Sequence, residues 1–509
     1  MKGLAGILAA VILFSLFPVT AAAAAPSEPA EGKELTAGAV ITCPGNASVL
    51  TDGRETTYTT LPSGGSVTIA APGEIGSLYI IFDKIYGEWT LSDGTAEVVC
   101  GTYGFLHEYV DVAQAFGYAP TNLTLTFPEG ECSLSEVHLF GPGQVPAWVQ
   151  RWEPPCEKAD LVLFSTHVDD EQLFFAGVLP YYAGERGYAV QVAYFIDPFA
   201  DYGQGHELPH QRPHEQLNGL WTVGVRHYPA EGVYVDAYSE SAEDAYADQA
   251  RYGFTREDML RSQTEIIRRF QPQVIVGHDI EGEYSHGQHI INCETLMEAV
   301  ELAADPSYDP DSAAEYGVWD TPKTYLHLWQ ENELVMDWDV PLDAFDGKTA
   351  FQVSQEGFLC HKSQQWTRFR GWMLGEDTPI TKATEIETAS PCLYGLYRTT
   401  VGLDTVGGDM FENVLSHAQA AQAEVEAERQ RQEQAAQAAA QEAAQAAAQE
   451  TPNNAQTAPA EEPGTGLPLV VLLLPVGGIL LFLSIWLIRR RKARKHKRYR
   501  STRRPPRGR

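Results

Sequence analysis

Asp160-Leu161-Val162-Leu163-Phe164-Ser165-Thr166 runs directly into His167-Val168-Asp169-Asp170-Glu171. The first part is a short apolar run closed by two hydroxyls, which reads as a strand buried on both faces. The second part stands where that strand ends and a helix begins. In parallel α/β sheets the carboxyl end of a strand is where sites form. Three acids beside one histidine repel one another unless a cation is present. A hydrolytic zinc ion takes three protein ligands and keeps an open position for water, and imidazole with carboxylate oxygen suits it. His167 and Asp170, three apart on a turn, can converge on one ion while Asp169 points at the water. Singly, each of these residues has a plainer explanation, a half-buried histidine or a helix-capping aspartate. Together they favour the cation.

Downstream, apolar runs alternate with helical periodicity, the mark of βαβ units. The pattern predicts helices over 172–187, 212–224, 256–270 and 288–304, and strands over 189–196, 274–277 and 323–328. This is an α/β reading, a Rossmann-like parallel-sheet catalytic domain over 156–400. After the 274–277 strand comes Gly277-His278-Asp279-Ile280-Glu281-Gly282-Glu283-Tyr284-Ser285-His286-Gly287-Gln288-His289. Its glycines permit a tight loop, again at a strand's carboxyl end. His286 and His289 are spaced to face one cleft, one binding metal and the other handling protons. Phe174, Phe175, Tyr181 and Tyr182 have the spacing of core residues more than that of a sugar platform.

The two motifs resemble those of the PIG-L family of zinc-dependent N-acetylglucosaminyl de-N-acetylases, His-Pro-Asp-Asp-Glu and Gly-His-x-Asp-His preceded by Tyr. The resemblance implies one divalent ion, zinc or alternatively Fe(II), on His167, Asp170 and His289. It implies Asp169 as general base, with His286 and Tyr284 assisting the reaction. Arg212 and Glu215, in Arg212-Pro213-His214-Glu215, match the family's Arg-x-x-Glu, where the arginine holds substrate; His361-Lys362-Ser363-Gln364 matches its His-x-Ser-Gln element. The implied activity is removal of the N-acetyl group from an N-acetylglucosamine-type sugar or glycoconjugate. Two other readings stay open: a zinc amidase acting on a non-sugar amide, and a catalytically inert carbohydrate-binding surface protein. The chain departs from the family pattern at Val168 (for proline), Ser285 (for glycine) and Gln288 (for aspartate). The last departure implies that His286 lacks a charged orienting partner.

Upstream, over 34–145, short β-type runs separated by Gly, Pro, Asn and Asp predict an all-β sandwich. Leu50-Thr51-Asp52-Gly53 and the closing Glu136-Val137-His138-Leu139-Phe140-Gly141 resemble discoidin or galactose-binding-like modules, which implies a carbohydrate-binding or a purely structural role. Turn formers at Gly141-Pro142-Gly143 and Glu153-Pro154-Pro155 mark the boundary.

The ends carry targeting signals. Residues 1–25 have the order of charge, apolar run and small residues of a signal peptide. An Ala/Gln/Glu-rich stretch at 412–450 predicts a helical stalk, followed by a linker at 451–466. Residues 467–488 are uncharged and long enough for a transmembrane helix. The tail at 489–509 holds 13 of the 36 basic residues and no acid, which by the positive-inside rule is a cytoplasmic tail. The expectation is a single-pass protein of the cell membrane, anchored by that one C-terminal helix, with its catalytic domain outside. What precedes the tail has 23 basic against 68 acidic residues, a net charge of −45 that argues against nucleic acid as a partner. Seven cysteines lie scattered without a C-x-x-C pair, and their connectivity stays open.

Overall fold

The computed structural model describes residues 30–200 and 208–449. The expected signal peptide (1–25), linker, transmembrane segment (467–488) and basic tail therefore lie outside the described residues.

Between residues 40 and 140, alternating residues pair into two antiparallel sheets. One is five-stranded, ordered Val40–Thr42, Gly65–Ala70, Asn122–Phe127, Trp89–Ser92, Glu97–Cys100; the other is four-stranded, ordered Thr59–Leu61, Cys132–Phe140, Ser77–Phe82, His107–Asp111. Val67, Ile69, Trp89, Leu91, Leu125 and Phe127 from the first sheet meet Leu78, Ile80, Phe82, Leu134 and Leu139 from the second, all essentially excluded from solvent. That alternation of buried and open positions is what period-two strands produce when one face is covered.

The third sheet has six strands, ordered Val190–Tyr194, Leu161–Ser165, Val274–Gly277, Lys323–His327, Leu393–Thr399, Glu333–Val335. The first four pair in parallel. The last two pair antiparallel, Lys323–His327 with Leu393–Thr399 and Glu333–Val335 with Leu393–Thr399. The expected parallel-sheet architecture with one transmembrane helix is thereby corrected. Across the described residues the three sheets are mostly antiparallel in their pairings, and the sheet that carries the motifs is mixed. Leu393–Thr399 runs back along its neighbour, and neither it nor Glu333–Val335 has the long apolar run of a strand covered on both faces. Among the described residues, no helix is long and apolar enough to cross a membrane. The expected placement as a single-pass membrane protein with an external catalytic domain is corrected on the same finding.

Local chemistry explains a further difference. The helix expected over 172–187 is broken into a single turn, Asp170–Leu173, and a wider coil, Pro180–Glu185. Between them Gly177 adopts φ +96°, and a Cβ there would lie 2.4 Å from the Trp338 ring, so only glycine fits. The helix Gly287–Leu302 is fixed at its far end by the buried Arg268, which donates to the carbonyls of Leu302, Ala303, Asp305 and Asp309 and so satisfies acceptors that a helix end leaves open. The Ala/Gln/Glu-rich segment forms a 33-residue helix, His417–Gln449. Its first residue is tied to Asp160 and Gln271. All seven cysteines are unpaired.

Candidate metal centre and active site

Two strand ends bring the motifs together. Leu161–Ser165 delivers His167 and its turn, and the adjacent parallel strand Val274–Gly277 delivers the loop that leads into Gly287–Leu302. His167 Nδ1, Asp170 Oδ2 and His289 Nε2 form a nearly equilateral triangle. The separations are 3.2 Å from His167 to Asp170, 3.1 Å from His167 to His289 and 3.2 Å from His289 to Asp170. Donors around a tetrahedral zinc with bonds of about 2.0–2.1 Å stand about 3.3–3.4 Å apart, so the triangle has the size of one tetrahedral face. All three residues are buried.

The electrostatics fit the same ion. Burial alone would lower both histidines, yet the neighbouring carboxylates reverse it: Asp236 and Asp170 lift His167 to about 10, and Asp170 with Glu283 lifts His289 to about 9. A pocket that holds protons so strongly on imidazole is one in which a divalent cation would replace them.

His286 also comes close: its ring centroid is 4.8 Å from that of His167 and 4.9 Å from that of His289. Its Nδ1 is buried without a hydrogen-bond partner. Burial and the two neighbouring histidines push it down to about 2, so it stands neutral. Donor atoms of His167, His286 and His289 lie within 4.8 Å of one another, and so do those of Asp170, His278 and His289. The tighter triangle with Asp170 supplies the carboxylate charge that His286 lacks. His278 has no free nitrogen, because Nε2 accepts from the Thr166 amide at 2.9 Å and Nδ1 donates to Glu283 Oε2 at 2.8 Å.

Asp169 sits beside the triangle, buried, and accepts from Arg212 Nη2 at 3.4 Å. Burial, opposed by Arg212 and reinforced by Asp170, lifts its carboxyl to about 7. Tyr284 and Ser285 hold φ of +52° and +60°. Such left-handed backbone at two successive non-glycine residues costs energy that packing must supply. Its effect is to place the Tyr284 ring parallel to His286, with centroids 5.3 Å apart.

Glu215, of the Arg-x-x-Glu element, accepts from the Ser363 amide at 2.8 Å and from its hydroxyl at 2.6 Å. The two outlying motif elements are thus tied to each other. His361 is fully buried 3.3 Å from Glu171.

Some groups were not legible as part of the site. Asp236 lies 3.4 Å from His167 Nε2 and 3.9 Å from Arg212 Nη1. Burial would raise its carboxyl, but His167 and Arg212 hold it well below the usual range. Glu283, within the loop quoted above, accepts from three imidazoles: His278 and His289 on Oε2 (2.8 and 2.6 Å) and His327 on Oε1 (2.7 Å). A carboxylate behind a ligating histidine fixes its tautomer and orientation. Gln288, the departure expected to leave His286 unoriented, instead donates to the Ala237 carbonyl and accepts from Gln249. It ties down the loop that carries Asp236 and Tyr238, and the Tyr238 ring stacks on His286 at 5.2 Å.

Residues 162–300 match the family described as PIG-L, GlcNAc-PI de-N-acetylase. A 1D-myo-inositol 2-acetamido-2-deoxy-alpha-D-glucopyranoside deacetylase from Catenulispora acidiphila is 28% identical over 194 residues, covering 35% of this chain and 59% of that protein. One from Saccharopolyspora erythraea is 30% identical over 160 residues, covering 31% and 48%. The chain therefore spans about half the length of these relatives. Among solved structures, N,N'-diacetylchitobiose deacetylase from Pyrococcus horikoshii matches at 19% identity, covering 48% of this chain and 85% of that one, with a TM-score of 0.34.

Proposed function

We propose that the PIG-L family domain of this chain is a zinc-dependent N-deacetylase whose substrate is an N-acetylated amino sugar or glycoconjugate. The observation that carries the reading is the triangle of His167, Asp170 and His289 with a buried, proton-poised Asp169 at its side. In this reading those three residues hold one zinc ion. When bound, the ion supplies Lewis acidity and makes water a nucleophile near neutral pH. The reactive work of the chain falls to four side chains. Asp169 takes the proton of the attacking water, for which a carboxyl lifted towards neutrality is suited. Tyr284 and His286, stacked together over the cleft, stabilise the charge that develops on the amide oxygen. Arg212, bridging Asp169 and Asp236, holds the sugar and keeps Asp169 aimed. The proton taken from water then passes to the amide nitrogen, the carbon–nitrogen bond breaks, and acetate and free amine leave.

The test is incubation of the full chain with a panel of N-acetylhexosamine glycans. Acetate and amine appear in equal amounts; a strong chelator abolishes their release, and added zinc restores it. Turnover that survives complete metal removal contradicts the reading.

A further inference from the structure

Beside the triangle lies a cavity of about 280 Å³ walled by Phe174, Tyr284, Phe369 and Trp372, with Arg368 and Thr388 among the residues that line it. Two of its wall rings border the site: the centroids of Phe174 and Tyr284 stand 5.7 and 5.4 Å from the His289 imidazole. The walls are fixed in place. Phe174 meets Phe369 edge-on at 6.1 Å and leans on Trp372 at 5.5 Å. The Trp372 indole donates to the Thr388 carbonyl at 3.1 Å, and the Arg368 guanidinium covers the Tyr284 ring at 4.7 Å.

The two sides of the site differ in chemistry. Asp236 and Arg212 stand on the His167 side, while beside His289, whose nitrogens are taken up by Asp170 and Glu283, stand the Phe174 and Tyr284 rings. An amino sugar carries hydroxyls around its rim and C–H groups on its ring faces, and its acyl substituent is the apolar part next to the scissile bond. A cavity this size holds about nine times the volume of one liquid water, about 30 Å³, so an acetyl methyl leaves most of it wet against four aromatic faces.

We propose that this cavity receives the acyl side of the scissile amide, and that the substrate class is amino sugars N-acylated with a chain or ring larger than acetyl. This deepens the N-deacylation reading and rests on it. Each methylene that enters an apolar cavity is worth about fourfold in binding.

The test uses the full chain loaded with zinc and methyl glucosaminides bearing N-acetyl, N-butanoyl, N-hexanoyl or N-benzoyl groups, with free amine as the readout. The expected result is a kcat/KM for hexanoyl at least about tenfold above acetyl. Trp372→Ala, which removes a wall, and Thr388→Trp, which fills the cavity from an exposed position without emptying the core, each bring that ratio towards one. A wild-type preference for acetyl, or a ratio that neither variant moves, overturns the proposal. A second arm keeps the acyl group as acetyl and lengthens the glycoside from methyl to octyl. If aglycone length raises kcat/KM and Trp372→Ala removes the gain, the cavity holds the aglycone and the acyl assignment falls. Failure to hydrolyse any N-acylated glucosamine overturns the deacylation reading itself, and the proposal with it.

Discussion

Asp169→Asn lowers kcat by about 10²- to 10⁴-fold and leaves the zinc content of the chain at about one ion, because loss of a general base removes proton transfer without removing a ligand. The two carboxylates have different neighbours. Asp170, not Asp169, points its Oδ2 at His167 and His289, at 3.2 Å from each. The Asp169 carboxylate instead accepts from Arg212, and burial lifts it to about 7. Asparagine keeps the shape of the turn and an acceptor for Arg212, but it cannot take up a proton at neutral pH. Zinc measured by elemental analysis alongside steady-state turnover decides the matter. Zinc and activity lost together would show that Asp169 is a ligand.

Glu283→Gln is expected to weaken zinc binding by about 10- to 100-fold, the usual effect of removing the partner behind a ligating histidine. The wild-type carboxylate is held well below its ordinary range: burial alone would raise it, and the surrounding histidines outweigh burial. It satisfies three imidazole N–H groups at once. Glutamine offers one oxygen and turns an amide N–H₂ towards the remaining donors. At least one of His278, His289 and His327 then rotates or flips its tautomer. Breaking such a buried charged cluster costs about 3–5 kcal/mol of stability, so the unfolding midpoint falls with the affinity. Zinc titration of the variant, followed by turnover at saturating zinc, is the check. Activity largely restored at high zinc is the expected pattern; affinity unchanged from wild type would mean that Glu283 plays no part in holding His289.

Much of this site was legible because its chemistry is local. His167, Asp169 and Asp170 share one turn, and the strand before them is an unbroken apolar run, so their placement together could be read. His286 and His289 carried the same information through their spacing. Asp236 could not be found this way. It belongs to no motif, and it enters the site only because Gln288 and Gln249 fasten its loop against the start of the Gly287–Leu302 helix. Glu283 stood inside the quoted loop, but its hold on His327 depends on a strand more than forty residues later in the chain. Phe174 illustrates the limit of spacing arguments. It is buried with the core, as its periodicity suggested, and it also walls the cavity beside His289.

The fold was less legible where pairing is non-local. Parallel strands with long apolar runs announced themselves. Leu393–Thr399, with Gly395 inside it, an exposed Leu393 at its start and half-buried positions towards its end, did not, so the antiparallel half of the third sheet was missed. The break after Asp170–Leu173 was missed for a similar reason. Periodicity through Phe174 to Tyr182 favours a helix, and the left-handed backbone of Gly177, φ +96°, interrupts it beside Trp338.

In the proposed centre His167, Asp170 and His289 share one ion. Crystals of the zinc-loaded chain measured at the zinc absorption edge test it directly. The account predicts one anomalous peak about 2.0–2.2 Å from His167 Nδ1, Asp170 Oδ2 and His289 Nε2. A peak at His278 and Glu283 instead, or none at the triangle in zinc-saturated crystals, would contradict it.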